Sequence, residues 1–336
     1  LWHLALDSSN QLAIARANGV TPLVALLDDG SYVAVQNGAN ALSRLAEISS
    51  DNQAQIAKRL VSLLTVENEG AQERSAQALW ALASNQPESP TVIVNAGAIS
   101  PLVNLLASGT LRAKQQAAGA LSTLAINNPH NQLAIAIGLV ALLGNGDTDA
   151  EEHVTKLLLE LSADGDNRKA IAEAGAIERI VLQLKSESVL GQELAASVLN
   201  YLICDGRKNI IQCAESGGVR PLVALLSSTS TVAQSQAALV IAAMTKGTDN
   251  LSNKNQASVA SEGGIGPLVA LLTAEGDESK AAAAGALWSL ARGLPETQAA
   301  VADAGAVQPL VNLLKSKDSK QQLKAAGALS GLAAGN

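Results

Sequence analysis

Apolar residues recur every three or four positions along most of the chain, a spacing that places them on one face of an α-helix. The pattern is clearest in residues 297–336, where one short run ends at Gly305, a second begins near Pro309, and a longer Ala- and Leu-rich run spans 321–333. Glycine tolerates the left-handed backbone at a helix end, and proline suits a first helical turn. This segment therefore predicts two short helices and one long helix, with no core of their own.

The same three-helix pattern repeats along the chain, and the first apolar residue of each second helix, the marker residue, gives its period. The marker residues are Leu23, Leu60, Leu102, Leu139, Ile180, Leu222, Leu268 and Leu310. Their intervals run from 37 to 46 residues. Five positions earlier, Gly or Asn predicts a left-handed helix end at Asn18, Gly97, Gly175, Gly217, Gly263 and Gly305. Thirteen positions earlier, a polar residue predicts a helix N-cap at Asn10, Ser89, Asn167, Asn209, Asn255 and Thr297.

These intervals predict a single domain over 1–336, in which the end of a partial repeat at 1–9 precedes eight repeats. The repeats are 10–51, 52–88, 89–130, 131–166, 167–208, 209–254, 255–296 and 297–336. Repeats 52–88 and 131–166 lack the five residues that would hold the capping glycine. Either their first and second helices fuse or the first is lost, or the sequence omits residues there, and these alternatives stay open. The longest interval carries an insertion, Lys246 to Lys254, which is expected to be a surface loop.

The repeat resembles the armadillo repeat, a unit of three helices in about 42 residues. The stretches that carry the resemblance are NQLAIARANGVTPLVALL at Asn10–Leu27, NAGAISPLVNLL at Asn95–Leu106 and AAGALWSLA at Ala283–Ala291. The resemblance covers the whole chain and implies an all-α, right-handed superhelical solenoid. The repeat sequence is most similar to those of the vacuolar armadillo adaptor of fungi and of plant U-box-type armadillo proteins, which act as scaffolds. It is less similar to that of importin-α.

The resemblance also implies a binding surface, because third helices line a concave groove in this family. In importin-α and β-catenin relatives, an Asn at one position of each third helix holds the backbone of an extended peptide. The corresponding residues here are His3, Arg44, Ala81, Thr123, Glu160, Tyr201, Ala243, Ser289 and Gly331, and none is Asn. The Trp array that importin-α places one turn earlier is missing too. An importin-α-like receptor for basic peptides is therefore the disfavoured alternative.

In place of that ladder, the first five repeats have polar and charged residues at helical spacing on the third helices. The candidate partner-binding residues are Gln36, Asn40, Arg44, Glu73, Gln77, Gln115, Thr123, Glu152, Lys156, Glu160, Glu193, Ser197, Tyr201 and Ser289. A partner is therefore expected mainly between Gln36 and Tyr201. Later repeats have Gly285, Gly327 and Gly331 at these positions. Such glycines fit either the close approach of a partner helix or easier packing between neighbouring third helices.

Three tryptophans, Trp2, Trp80 and Trp288, share one position beside this face. Each either belongs to a binding hot spot at the rim or packs between repeats, and an amphipathic ring suits the second role. Hydrophobic residues make up 48% of the chain but aromatic residues only 1%. A core built almost wholly from Ala, Val, Ile and Leu fits thin, closely stacked helical layers.

Charge and cysteine content exclude several classes of function. The net charge is −7, and no basic surface for phosphates is apparent, so nucleic-acid binding is not expected. No apolar run approaches the ~18 residues of a membrane-spanning helix, so direct membrane insertion is not expected either. The two cysteines, Cys204 and Cys213, are expected to be buried thiols. They cannot form a disulfide framework, which favours a reducing compartment, the cytoplasm or alternatively the nucleus.

The sequence shows no grouping that would support catalysis. No nucleophile, base and orienting acid recur together, and His3, His130 and His153 have no partner at metal-ligand spacing. We therefore predict a non-enzymatic scaffold or adaptor, without metal or cofactor, that holds a peptide or helix of another protein in the groove. A structural stacking unit with end-to-end self-association is a further alternative, because neither end resembles a polar capping repeat.

Overall fold

The structure, a computed structural model, describes residues 7–29, 32–46, 50–85, 87–144 and 148–334. All regular secondary structure within these ranges is α-helical. The chain divides into two compact units, unit 1 at Leu1–Leu161 and unit 2 at Ser162–Asn336, and each is described by itself. The predicted all-α architecture is confirmed.

Unit 1 contains two complete helix triplets and two pairs. Its helices are α1 Ser8–Arg16, α2 Val20–Asp29, α3 Tyr32–Ala46, α4 Ser50–Leu63, α5 Glu69–Asn85, α6 Ser89–Asn95, α7 Ile99–Ser108, α8 Leu111–Ala125, α9 Pro129–Leu142 and α10 Thr148–Leu161. The pairs, α4 with α5 and α9 with α10, are the two short repeats. In each, one 14-residue helix runs through the place where the capping glycine is missing, so the first and second helices are fused.

Unit 2 contains four complete triplets. Its helices are α11 Gly165–Glu173, α12 Ala176–Gln183, α13 Val189–Ile203, α14 Arg207–Glu215, α15 Val219–Leu225, α16 Thr231–Met244, α17 Asn250–Ser261, α18 Ile265–Leu271, α19 Asp277–Ala291, α20 Pro295–Asp303, α21 Val307–Leu313 and α22 Ser319–Ala333. Two short helices precede a longer one in each triplet, as the repeat pattern predicts.

The left-handed helix ends occur where the sequence places them. Backbone φ is positive at Asn18 (57°), Gly97 (84°), Gly175 (85°), Gly217 (75°), Gly263 (77°) and Gly305 (79°). After Asn18, Gly97, Gly217, Gly263 and Gly305, the next residue donates its N–H to the carbonyl five residues earlier, as Gly218 does to Cys213 at 2.9 Å. This bond defines a Schellman motif and uses a carbonyl that would otherwise have no partner. It turns the chain from the first helix of a repeat into the second.

The predicted N-caps are wrong, and at Asn209, Asn255 and Thr297 the side chain bonds to the preceding repeat instead. Asp7 and Asp164 cap α1 and α11. Asn209 lies inside α14, and its Nδ2 donates to the Leu202 carbonyl at 2.6 Å. The same bond joins Asn52 to Leu45 (3.3 Å), Asn131 to Leu124 (2.9 Å), Asn255 to Met244 (2.8 Å) and, through its hydroxyl, Thr297 to Leu290 (3.0 Å). Each carbonyl is at a third-helix C-terminus, where intrahelical N–H donors have run out.

The marker residues form the core. All eight are at most 3% exposed, and Leu102, Leu139, Ile180, Leu222, Leu268 and Leu310 are 0% exposed. Small residues such as Ala117, Ala237 and Ala283 are also fully buried on third helices, where they permit close packing. In unit 1, α5 packs against α8 and α8 against α10, while in unit 2 α13, α16, α19 and α22 pack in series. The third helices therefore form one layer in each unit.

The insertion at Lys246 to Lys254 is only partly a loop, so the expectation of a loop throughout is wrong. Its last five residues form the start of α17, which has 12 residues where α14 has 9. Asp249 starts this helix because its carboxylate accepts the N–H of Ser252 at 2.9 Å. The same carboxylate pairs with Arg207 at 2.7 Å.

The stability of the protein is expected to depend on the ionisation of Asp249. The hydrogen bond that its carboxylate accepts from the Ser252 N–H has the largest effect, followed by the hydrogen bond from Arg207. Together they lower the pKa of this carboxyl from 3.8 to about 2. Because the pKa falls on folding, the carboxylate stabilises the fold above about pH 4, and this contribution is lost as the pH falls toward 2. Asp249→Asn should therefore lower the thermal midpoint at neutral pH and have little effect near pH 2. Equal effects at both pH values in circular-dichroism melts would contradict this assignment.

Candidate partner-binding faces of the third helices

The exposed side chains of the third helices form a surface in each unit, which we call the third-helix face. It comprises α5, α8 and α10 in unit 1 and α13, α16, α19 and α22 in unit 2. The candidate residues from Glu73 onward lie on these helices. Arg44 on α3 is exposed, whereas the side chains of Gln36 and Asn40 on that helix lie outside the described part of the structure.

The face of unit 1 carries amides and charges of both signs. Gln77 on α5, Gln115 on α8 and Lys156 on α10 are exposed. Glu152 on α10 is half-buried. This distribution agrees with the polar, mixed-charge face that helical spacing predicts.

Two carboxylates of this face connect neighbouring helices. Glu73 Oε1 on α5 lies 3.5 Å from Arg112 Nε on α8. Glu160 Oε2 on α10 accepts a hydrogen bond of 2.9 Å from the Ser122 hydroxyl on α8. Each of these carboxylates therefore already has a partner inside unit 1.

Two of the candidate hydroxyl groups bond within their own helices. The Thr123 hydroxyl donates to the Gly119 carbonyl at 2.9 Å, and the Ser197 hydroxyl donates to the Glu193 carbonyl at 2.7 Å. Bonds to the carbonyl four residues earlier are common for Ser and Thr inside helices. The hydroxyl protons at these positions are therefore used internally, although the oxygens can still accept.

The largest exposed side chain among the unit 2 candidates is Tyr201 on α13. It is 43% exposed. The preceding residue, Asn200, donates from Nδ2 to Gln236 Oε1 on α16 at 2.9 Å. Glu193 on the same helix is half-buried. The sequence reasoning did not single out Asn200, because the bond depends on a residue 36 positions away.

Two tryptophan rings pack against glycines of the neighbouring third helix. A Cβ built on Gly327 of α22 would lie 2.4 Å from ring atoms of Trp288 on α19. A Cβ on Gly119 of α8 would lie 2.7 Å from ring atoms of Trp80 on α5. Only glycine leaves room for the ring at such distances. These two pairs favour packing between neighbouring third helices as the role of the glycines and tryptophans, while Trp2 lies outside the described residues.

Trp288 also lines a pocket that the sequence reasoning missed, which we call the Trp288 pocket. It is in unit 2 between α16, α19 and α22, with a volume of about 610 Å³. Its walls include Ala243, Gly247, Thr248, Gly285, Trp288 and Ser289. The Ser289 hydroxyl is 3.3 Å from both the Ala242 and the Gly285 carbonyls. The insertion thus contributes to the wall of a pocket on the third-helix face.

Three basic side chains complete the lining of the Trp288 pocket. They are Lys246 in the insertion, Arg292 just after α19 and Lys324 on α22. Lys324 Nζ lies 5.3 Å from the centroid of the Trp288 ring, and Arg292 Cζ lies 6.0 Å from it. Both distances suit cation–π contacts. The described lining contains no Asp or Glu, so the pocket is locally positive although the chain is acidic.

The two cysteines have different surroundings, and the prediction that both are buried is wrong for Cys204. Cys204 is exposed at the end of α13, where its Sγ donates to the Asn200 carbonyl at 3.2 Å. Cys213 is buried on α14, with its Sγ 3.8 Å from the sulfur of Met244. Burial raises the pKa of the Cys213 thiol to about 12.

We expect one fast-reacting thiol in the native protein. Near pH 8 Cys213 stays protonated and enclosed, whereas Cys204 is accessible to reagent. Titration with a chromogenic disulfide should therefore modify one cysteine quickly, and both after unfolding in urea. Cys204→Ser should remove the fast phase. A fast phase that persists in Cys204→Ser would show that Cys213 is accessible.

The described residues contain no candidate metal site and no single helix that could span a membrane. No group of three His, Cys, Asp or Glu residues there could hold a metal ion. No single described helix is long and apolar enough to cross a membrane; α6 and α7 together reach the required length and composition, but they are bent by 80° to each other.

A model of a known repeat family matches four segments of the chain. The model of the armadillo/β-catenin-like repeat matches residues 86–126, 206–242, 252–292 and 295–334. These matches and the three-helix repeats agree, so the matched segments are armadillo/β-catenin-like repeats.

Plant armadillo proteins are among the curated relatives. Protein CELLULOSE SYNTHASE INTERACTIVE 2 of Arabidopsis thaliana is 30% identical over 200 residues, which are 55% of this chain and 9% of that protein. U-box domain-containing protein 7 of the same plant is 26% identical over 247 residues, which are 68% of this chain and 32% of that protein. The predicted similarity to plant U-box armadillo proteins is confirmed, although the chain spans only a small part of these relatives.

Solved structures agree on the fold. A crystal structure of an engineered protein is 32% identical, with a TM-score of 0.71, and the match covers 99% of this chain and 84% of that one. A designed armadillo repeat protein in complex with the peptide (KR)4 is 23% identical, with a TM-score of 0.51 and coverage of 82% and 99%. The second likeness shows the fold alone.

Proposed function

We propose that the chain is a non-enzymatic scaffold or adaptor and that the third-helix face of each unit binds segments of partner proteins. The observation that carries this proposal is the exposed, chemically varied layer of third helices. Gln77, Gln115 and Lys156 in unit 1 and Tyr201 in unit 2 are exposed on helices whose opposite sides are packed into the core.

The side chains on this face suit recognition of a polypeptide. Glutamine amides both donate and accept hydrogen bonds, which matches the alternating donors and acceptors of an extended backbone. A tyrosine offers large contact area with a polar tip, and such residues are frequent energetic centres of interfaces. Gln77 provides such an amide and Tyr201 such a ring, and both side chains are exposed.

The comparisons support a protein-binding role in general terms. The family of armadillo repeats is generally non-enzymatic, and a designed member has been solved with a bound peptide. The name of one relative describes it as interactive with cellulose synthase. We extend to this chain only the binding of proteins, together with a cytoplasmic or alternatively nuclear location.

An importin-α-like role in binding basic peptides is the second candidate, and the site disfavours it. The positions of the expected Asn ladder hold Ala81, Thr123, Glu160 and Tyr201, among others. In unit 2 the Trp288 pocket is bordered by basic side chains, which would repel a basic peptide.

Affinity capture with matched variants tests the proposal. One bait carries Lys156→Glu and Tyr201→Ala on the third-helix faces. The control bait carries Lys169→Glu on α11 and Leu182→Ala on α12, which change exposed residues of a first and a second helix. We expect the face variant to lose partners that the wild type and the control retain. Recovery of the same partners in equal amounts by all three baits would refute the third-helix face as the binding surface.

A further inference from the structure

We infer that the Trp288 pocket of unit 2 binds an acidic segment of a partner protein, whose Asp or Glu carboxylates pair with Lys246, Arg292 and Lys324. This inference rests on the proposed function and names the chemistry of one partner segment. Three observations support it: the charge of the pocket, the way its side chains are held, and a second tryptophan site in unit 1 that lacks the charge.

The positive charge of the pocket has no internal partner. Among the described residues, no carboxylate forms an ion pair with Lys246, Arg292 or Lys324. Like charges brought together in one concave site raise the local potential and attract anions. An arginine beside lysines suits carboxylates in particular, because the guanidinium fork can donate two parallel hydrogen bonds to one carboxylate.

The aliphatic stems of Lys324 and Arg292 lie close to glycines of the third helices. A Cβ on Gly285 of α19 would lie 3.5 Å from Lys324 Cδ, and a Cβ on Gly331 of α22 would lie 3.1 Å from Arg292 Cγ. The first distance is an ordinary contact and the second is tight, so both stems lie close to the helix beside them and the Arg292 stem uses space that a Cβ on Gly331 would crowd. Side chains that are already positioned lose less conformational entropy when a ligand binds.

The loop that carries Lys246 is tied to the rest of unit 2 by Gln256. This residue of α17 is 0% exposed, and its Nε2 donates to the carbonyls of Thr245 at 2.9 Å and Gly247 at 3.1 Å. The two carbonyls flank Lys246 in the chain. The insertion therefore holds a cation at the pocket wall.

Unit 1 contains the same tryptophan-on-glycine packing without these cations. Trp80 lies against Gly119 as Trp288 lies against Gly327. The residues that correspond by repeat alignment to Arg292 and Lys324 are Ser84 and Gln116. Because the ring packs well without them, the cations are not needed for packing, which favours a ligand-directed role.

Fluorescence anisotropy with a short labelled peptide of alternating Asp and Glu tests this inference on the full chain. We expect saturable binding of one peptide per chain that weakens with added salt. Lys324→Glu or Arg292→Glu should weaken it at least about tenfold, the scale of lost close charge pairs. Lys324→Gln, which keeps most of the stem, should also weaken it. Lys317→Glu, the same charge change outside the pocket lining, and Trp80→Ala should leave it nearly unchanged.

Three results would overturn the inference: no binding of the acidic peptide to the folded wild type, equal binding of a matched Lys and Arg peptide, or equal weakening by Lys317→Glu. Displacement of the peptide by inorganic phosphate at concentrations where chloride has no effect would assign the pocket to phosphate instead. Thermal melts of each variant establish that it is folded. If the folded wild type does not bind the acidic peptide while partner capture still depends on Lys156 and Tyr201, this inference is refuted and the proposed function stays intact. The reverse pattern would refute only the proposed function.

Discussion

Leu268→Ala should lower the free energy of unfolding by about 2–5 kcal/mol, the range for a fully buried leucine that leaves a cavity. Leu268 is the marker residue of α18 and is 0% exposed. The variant loses both the favourable transfer of the side chain from water and its dispersion contacts with the surrounding core. Urea unfolding followed by far-ultraviolet circular dichroism measures the change.

Leu323→Ala is the matched control for this prediction. Leu323 is also on a helix of unit 2, α22, but it is 62% exposed. Its replacement should change the free energy of unfolding by no more than about 0.5 kcal/mol. Similar losses in the two variants would mean that the marker residues do not form the core.

Gly327→Ala should destabilise the protein by about 1–3 kcal/mol, the cost of forcing extra volume into a packed site. A Cβ at this position would lie 2.4 Å from Trp288 ring atoms, so the ring or the α22 backbone must move. Alanine is favoured over glycine inside a helix by about 1 kcal/mol, and the observed loss is net of that gain. The same urea titration gives the value.

Gly266→Ala is the matched control and should not lower the free energy of unfolding. Gly266 lies in α18, and a Cβ there would have nothing within 4 Å. This variant should be neutral or more stable by up to about 1 kcal/mol.

Trp288→Leu should reduce the loss of stability caused by Gly327→Ala when the two are combined, because the smaller side chain leaves space for the added methyl group. A stabilising Gly327→Ala would contradict the packing assigned to this pair.

Much of the fold could be predicted because its signals are local. The helix ends at Gly97 and Gly175 depend on the backbone preference of single residues, and they are left-handed in the structure. The fusion of helices in α4 and α9 was one of the alternatives that the missing turn left open. The start of α17 was missed, since the capping role of Asp249 inside a polar insertion looks like any other loop residue in the sequence.

Interactions between repeats were harder to predict. Asn209 has the residue type of an N-cap, but its partner is the Leu202 carbonyl in the preceding repeat. The choice between these two roles depends on distances across the turn, which residue type does not encode. The sequence identified the correct polar residue and assigned it to the wrong helix.

The Trp288 pocket was missed for the same reason. The later repeats have glycines on the third-helix face, so the sequence places few polar or charged side chains there. In the structure Gly327 makes room for the Trp288 ring and Gly331 for the Arg292 stem, while the Lys324 stem lies next to Gly285. The pocket also needs Lys246, which comes from an insertion outside the repeat pattern. Its residues are distributed over three helices and a loop, so only packing brings them together.

Photo-crosslinking to a bound partner tests the central claim most directly. A photoreactive amino acid is placed at Gln77 or Tyr201 on the third-helix faces, and at Ile137 or Leu182, exposed residues of α9 and α12, as the matched positions in each unit. Mass spectrometry then identifies the crosslinked partner segments. We predict crosslinks from position 77 or 201 and none from position 137 or 182. Crosslinks confined to positions 137 and 182 would contradict the claim that the third-helix faces bind partner proteins.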